Sequence, residues 1–257
     1  MASRLAPVIA MLFLAGIGSC GGSAVDDAPG GRPEGTLLVS AAASLTDVFA
    51  AMAAAFEADH PEVDVVLNFA GSSALREQIL EGAPVDVFAS ANRSNMDQVV
   101  SGGEVAGQPR VFAGNLLQIA VPAGNPAGIA GLADFADPDL LIGLCAPGVP
   151  CGDFAREALA KAGVVPSIDT NEPDVRALLT KIEAGELDAG ITYVTDVVAA
   201  HGAATGIDVP AAVNVAAEYP IAVMTASPNP TAAGAFVDFV LSTAGASILR
   251  EYGFTTP

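Results

Sequence analysis

The chain has 257 residues, 52% of them hydrophobic, and carries 10 Lys plus Arg against 29 Asp plus Glu, a net charge of −19. That length and apolar content suffice for one large or two modest domains, while the acidic excess excludes nucleic acid, whose phosphates are held by a basic footprint. Any anion bound here has to be held locally, against the field of the whole protein.

In chain order, Arg4 supplies a minimal charged segment, and residues 5–17 form an apolar run too short to span a bilayer. The run ends Ile17-Gly-Ser-Cys20, which resembles a bacterial lipoprotein cleavage box. The expectation is a signal peptide over residues 1–19 and a lipid-modified Cys20 anchoring the mature chain to the outer face of the cell membrane. An ordinary signal peptide is the alternative. Residues 21–35 (GGSAVDDAPGGRPEG) lack periodicity and are rich in Gly, Pro and Asp, so residues 20–36 read as a flexible tether.

A buried strand is expected at 37–39, followed by three alanines and then Ser44, where a helix should begin. Leu45, Val48, Phe49, Met52 and Phe56 fall on one face of that helix, and Ser44 with Asp47 matches a capping box. The device repeats: a strand at 63–69, then small residues with Ser72 and Ser73, then a helix to Leu80. Each strand–turn–helix unit points free N–H groups and a positive dipole end at one spot, which suits an anion. Further strands are expected at 85–89, 114–122, 140–144, 189–193 and 219–224. Helices are expected from Asn92 or Ser94 toward Val100, at 153–162, 173–184 and 195–200, and at 231–241 and 243–252, with a helical turn at 132–135. Repeated βα units imply a mainly parallel sheet covered on both sides. Periodicity does not decide between one wide sheet and two smaller ones.

With Cys20 set aside, Cys145 and Cys151 remain, and export to an oxidising compartment favours a disulfide between them over free buried thiols. Catalytic groups are scarce. The two histidines, His60 and His201, sit at a Pro-bounded turn and near a helix end, and no linear nucleophile, P-loop or zinc-protease motif is present. Donors are plentiful: Ser44, Ser72 and Tyr193 lie at or just after the C-terminal ends of strands, where α/β sheets bind ligands.

The segments VSAAASLT (39–46), FAGSSAL (69–75), GAPVDVF (82–88), VPCG (149–152), EPDVR (172–176), GITY (190–193) and REYGF (250–254) occur in an order and spacing that resembles the molybdate-binding proteins of bacterial ABC importers. The resemblance covers essentially residue 37 to the C-terminus. It implies an α/β, two-lobed periplasmic-binding-protein fold (type II), with two sheets joined by a hinge. Residues 37–115 plus 221–257 would form lobe I and 116–220 lobe II. It implies that Ser44, Ser72, Cys151, Val175 and Tyr193 hold the oxyanion through hydroxyls and backbone N–H groups, with no cofactor and no cation ligands. The family usually has a small apolar residue, often Ala, where this chain has Cys151, which a backbone donor tolerates. The implied role is non-enzymatic: capture of molybdate or tungstate, as a monomer, for an ABC permease. A sulfate-type oxyanion is the alternative ligand, and a Ser44 hydrolase or a surface interaction protein are the alternative classes.

Overall fold

The computed structural model describes residues 31–257, so the expected signal peptide, the lipidation site Cys20 and most of the tether lie outside the described residues. Strand β1 (Gly35–Ala42) begins two residues before its apolar run and leads, through a short 3₁₀ turn at Ala43–Leu45, into helix α1 (Thr46–Asp59). Next come β2 (Val63–Ala70), α2 (Ser72–Leu80), β3 (Val87–Ala89) and α3 (Arg93–Ser101). Strand β1 lies between β2 and β3 and is parallel to both. Of the two candidate caps for α3, Asn92 serves, its side chain accepting from Asn95 N–H.

Strand β4 (Val105–Pro122) is much longer than its apolar segment suggests. After it come β5 (Ile142–Cys145), α4 (Pro150–Lys161), β6 (Thr170–Glu172), α5 (Val175–Glu183) and β7 (Ala189–Tyr193). Helix α6 (Val194–Ala199), β8 (Ala204–Asp208) and β9 (Ala216–Met224) follow, and α7 (Pro230–Val240) and α8 (Thr243–Glu251) complete the chain.

Strands join in the order β2-β1-β3-β9-β4-β7-β5-β6, with β8 also on β4. The ladder divides at β4. Its residues 105–116 pair with β9, whereas from Leu117 onward it pairs with β7 and β8. This is the two-lobed type II arrangement, with α/β halves joined where β4 and the approach to β9 cross. Asn214 clamps the crossing: its side chain accepts from Leu117 N–H and donates to Leu117 C=O, at 3.1 and 2.9 Å.

Both faces of the first half are covered at its centre, so β3 and most of β1 are buried, whereas β2 at the edge alternates in burial. On one face Phe49 and Phe56 of α1 meet Phe236 of α7, the Phe56–Phe236 pair edge to face with centroids 5.3 Å apart. On the other, Leu75 and Ile79 of α2 and Met96 and Val99 of α3 pack with Phe88 and Met224. Phe236 is fully buried between elements from opposite ends of the chain. Phe236→Ala is expected to lower the unfolding free energy by about 3–5 kcal/mol, read from a denaturant midpoint at unchanged slope.

Candidate functional site

Ser44 does not cap α1 as the capping-box pattern suggests. The 3₁₀ turn moves the helix start to Thr46, with no side-chain cap at Ala42 or Leu45, and leaves Ser44 buried inside the turn. Its hydroxyl instead lies 3.1 Å from the Tyr219 hydroxyl on β9. Asp47, freed from capping, forms an ion pair with Arg176 across the gap between the halves.

Ser72 is the first residue of α2, after Gly71, and its Oγ accepts from Ala91 N–H at 3.0 Å. Helix α4 starts earlier than its apolar spacing implies, at Pro150, so Cys151 sits in its first turn. A disulfide joins Cys151 to Cys145 at the end of β5, Cα–Cα 5.8 Å. Gly152 makes this tight junction possible, because a Cβ there would meet Cys145 C=O at 2.4 Å. Val175 opens α5. Asp174 caps that helix by accepting from the N–H groups of Arg176 and Ala177, which leaves Val175 N–H as the first-turn donor facing outward. Tyr193 ends β7 and is buried.

The structure brings these five residues together. Ser44, Ser72, Cys151, Val175 and Tyr193 line one narrow cleft of about 10 Å³ between the halves. Organic-ligand pockets run to roughly 300–1,000 Å³, so the space as it stands does not fit an organic ligand. Three helices, α2, α4 and α5, direct their N-termini at it, and the positive ends of their dipoles favour negative charge. The nearby carboxylates are occupied: Asp174, which also lines the space, caps α5, and Asp153 accepts from Gly148 N–H at 2.8 Å. The Tyr193 hydroxyl is buried without a hydrogen-bond partner, and burial pushes its pKa well above the ordinary phenol value. It is held as an O–H donor.

Neither histidine belongs to this space. His60 stacks on Phe56 at 4.4 Å, and His201 follows α6 with a φ of 48°. Ser44 therefore has a phenol beside it where a hydrolase would need a general base.

Four further residues matter that no local pattern marks. Gly71 packs so closely across the gap that a Cβ would meet Pro173 C=O at 2.6 Å. Arg176 follows the donor Val175 and bridges Asp47 of one half to Asp196 of the other, its Nε 3.7 Å from Asp196 Oδ1. Asp196 is fully buried and accepts from Tyr193 N–H at 3.0 Å. Tyr219, on the crossing strand, touches Ser44. Gly71 and Arg176 do fall in segments of the motif resemblance, but nothing in the sequence assigned any of the four these contacts.

Comparison with known proteins places this geometry in context. A family model described as bacterial extracellular solute-binding protein matches residues 37–255. The molybdate-binding protein ModA of Mycobacterium tuberculosis is 37% identical over 252 residues, 97% of each chain. Among solved structures, the sulfate-binding protein SubI of the same organism superposes with a TM-score of 0.77 at 19% identity, covering 86% of each chain. The periplasmic molybdate-binding protein of Azotobacter vinelandii gives 0.75 at 18%, covering 86% of this chain and 99% of that one. At such identities the two structures establish the fold alone.

Asp196 supplies a test of the electrostatics behind Tyr193. Burial raises its carboxyl pKa from 3.8 to about 7, against the opposing pull of Arg176. Between those values the folded state binds a proton that the unfolded state has released, so stability falls as pH rises through that window, by at most about 1.4 kcal/mol per pH unit. Asp196→Asn keeps an oxygen for Tyr193 N–H and removes the titration. Denaturation across the window is expected to show a flatter profile for the variant than for the wild type.

Proposed function

The chain belongs to the bacterial extracellular solute-binding proteins, and we propose that it captures molybdate or tungstate outside the cytoplasmic membrane and delivers it to the permease of an ABC importer. The observation that carries this reading is the convergence of hydroxyls and helix N-termini on one small space. Ser44, Ser72 and Tyr193 line it together with the first turns of α2, α4 and α5, and the carboxylates of Asp174 and Asp153 are engaged by backbone N–H groups.

Molybdate and tungstate are tetrahedral dianions with no proton at neutral pH. They need donors and no acceptor. In this reading Ser44 and Ser72 contribute hydroxyl and N–H from lobe I, Cys151 and Val175 contribute N–H from lobe II, and Tyr193 adds its phenol. Each charge-assisted hydrogen bond contributes roughly 1.5–3 kcal/mol net, so several offset desolvation of the ion with no Lys or Arg in contact. Hydrogen phosphate brings a proton with no acceptor to meet it, at a cost of about 1–3 kcal/mol. Sulfate has no such handicap and is separated only by size.

Lobe I comprises residues 37–115 and 221–257, lobe II residues 116–220, and the hinge the two crossings around 116–120 and 217–221. Ligand contacts from both lobes favour the closed state. The protein works as a monomer, tethered by lipid on Cys20, and binds without catalysis.

Melting the protein in separate molybdate, tungstate, sulfate and phosphate tests the ligand. A hundredfold excess over Kd adds about 2.7 kcal/mol of stability, a shift of roughly 5–10 °C for a domain this size. Molybdate and tungstate are expected to produce it and phosphate not. A shift with sulfate alone would reassign the ligand, and no shift with any of the four would overturn the reading. Gly71→Ala tests closure. Its φ of −58° and ψ of 137° are open to any residue, so backbone strain is not the cost. The methyl would meet Pro173 C=O in the arrangement seen, so the proposed closure is impeded and molybdate affinity is expected to fall at least tenfold, read by calorimetric titration.

A further inference from the structure

Ser44 Oγ and Tyr219 Oη are 3.1 Å apart and both buried, and each could donate to the other. The choice of direction decides what Ser44 offers to the cavity. A hydroxyl has one proton and two lone pairs. If Ser44 gives its proton to Tyr219, it turns a lone pair toward the cavity and repels an anion. If it receives a proton from Tyr219, its own proton is left for the ligand.

We infer that Tyr219 is a positioning residue for the oxyanion site: its hydroxyl donates to Ser44 Oγ and thereby commits the Ser44 proton to the cavity. The inference rests on the oxyanion reading proposed above and extends it to a residue that does not touch the ligand.

Three observations support this direction. Ser72, the matching hydroxyl on the neighbouring helix start, receives its hydrogen bond from Ala91 N–H. A backbone N–H can only donate, so the Ser72 proton is free for the cavity by necessity. Tyr219 would do for Ser44, with a side chain, what Ala91 does for Ser72 with the backbone.

The second observation is the surroundings of the phenol. Tyr219 is fully buried, and the hydrogen-bond partner of its hydroxyl among the described residues is Ser44 Oγ. The neighbouring Asn115 amide is taken, its Oδ1 accepting from Leu116 N–H at 3.0 Å and its Nδ2 donating to Thr195 Oγ1 at 2.7 Å. A buried phenol proton without an acceptor is costly, so Tyr219 is best satisfied by sending its proton to Ser44.

The third is permanence. Burial raises the Tyr219 pKa above the ordinary phenol value, so the proton it gives to Ser44 is not lost in the neutral range. The consequence is selectivity. With both serines committed as donors, each turns its proton rather than a lone pair toward the ligand, which disfavours the proton of hydrogen phosphate. Removing the Tyr219 hydroxyl lets Ser44 rotate and serve either as donor or as acceptor.

The test is a double-mutant cycle of Tyr219→Phe and Ser44→Ala, read by calorimetric titration with molybdate and with phosphate. Tyr219→Phe is expected to weaken molybdate about tenfold and to narrow the molybdate-over-phosphate preference by a similar factor. In the Ser44→Ala background it should cost nothing further, because its effect passes through Ser44. Losses that multiply, an unchanged selectivity ratio, or wild-type affinity in Tyr219→Phe would each overturn the inference. Should Tyr219→Phe unfold, neutron diffraction of the wild-type protein reads the same point directly. A hydrogen on Tyr219 aimed at Ser44 supports the assignment, and a hydrogen on Ser44 aimed at Tyr219 refutes it. If wild type binds no oxyanion, the functional reading itself falls and this inference with it.

Discussion

Everything about the site follows from the unpaired N–H groups at the start of a helix. The first turn of α2, α4 and α5 each leaves donors that no carbonyl of the same helix can reach. A chain that aims three such turns at one small space has made an electrically positive point without any positively charged residue. In a protein of net charge −19 this matters, because donors fixed in backbone keep their orientation in an unfavourable field. The supporting chemistry is arranged around them: Pro150 supplies no N–H of its own, Asp174 occupies the α5 donors that do not face the cavity, and small residues at Gly71 and Gly152 allow backbone to approach backbone.

A second layer of contacts ties the two halves together without entering the cavity. Arg176 is next to a proposed donor, Val175, and reaches Asp47, three residues past Ser44, on the other half. Asp196, which faces Arg176, holds Tyr193 N–H. The residues expected to touch the ion and those that cross the gap are therefore sequence neighbours at each helix start. Movement of one half against the other cannot leave the cavity's donors in place.

The alternation of strands and helices was legible because the central strands of a sheet covered on both faces are apolar and stand out, as at β5 and β7. What failed to show were elements whose partners are remote. Residues 105–113 contain Gly107, with φ of 81°, and Pro109, and no strand was expected there; they form strand because β9 lies alongside and bulges absorb the irregularities. Strands β6 and β8 are short and mixed in polarity, so no period marks them. The five proposed ligand residues were legible through strand ends and the motif resemblance. Tyr219 was not, since it meets Ser44 across 175 residues, and no local spacing encodes such a contact. The Ser44 capping box was a misreading of a real signal: the hydroxyl at a helix entrance was there, but the 3₁₀ turn redirected it.

The route of the chain through the two halves also sets an order of assembly. The second sheet, from the later part of β4 through β8, is drawn from one contiguous stretch and can close on itself as soon as β8 is available. The first sheet cannot. Strand β3 pairs with β9, Phe56 packs against Phe236, and Gly114 exchanges backbone hydrogen bonds with Thr255 at 2.8 and 3.0 Å. The amino-terminal half is thus finished by the last residues to be made, and contacts of such long sequence separation form slowly. A chain that emerges from a membrane pore N-terminus first would hold an unfinished sheet, its β3 edge open, until the final helices arrive. A shortened C-terminus would undo the beginning of the protein and leave its middle intact.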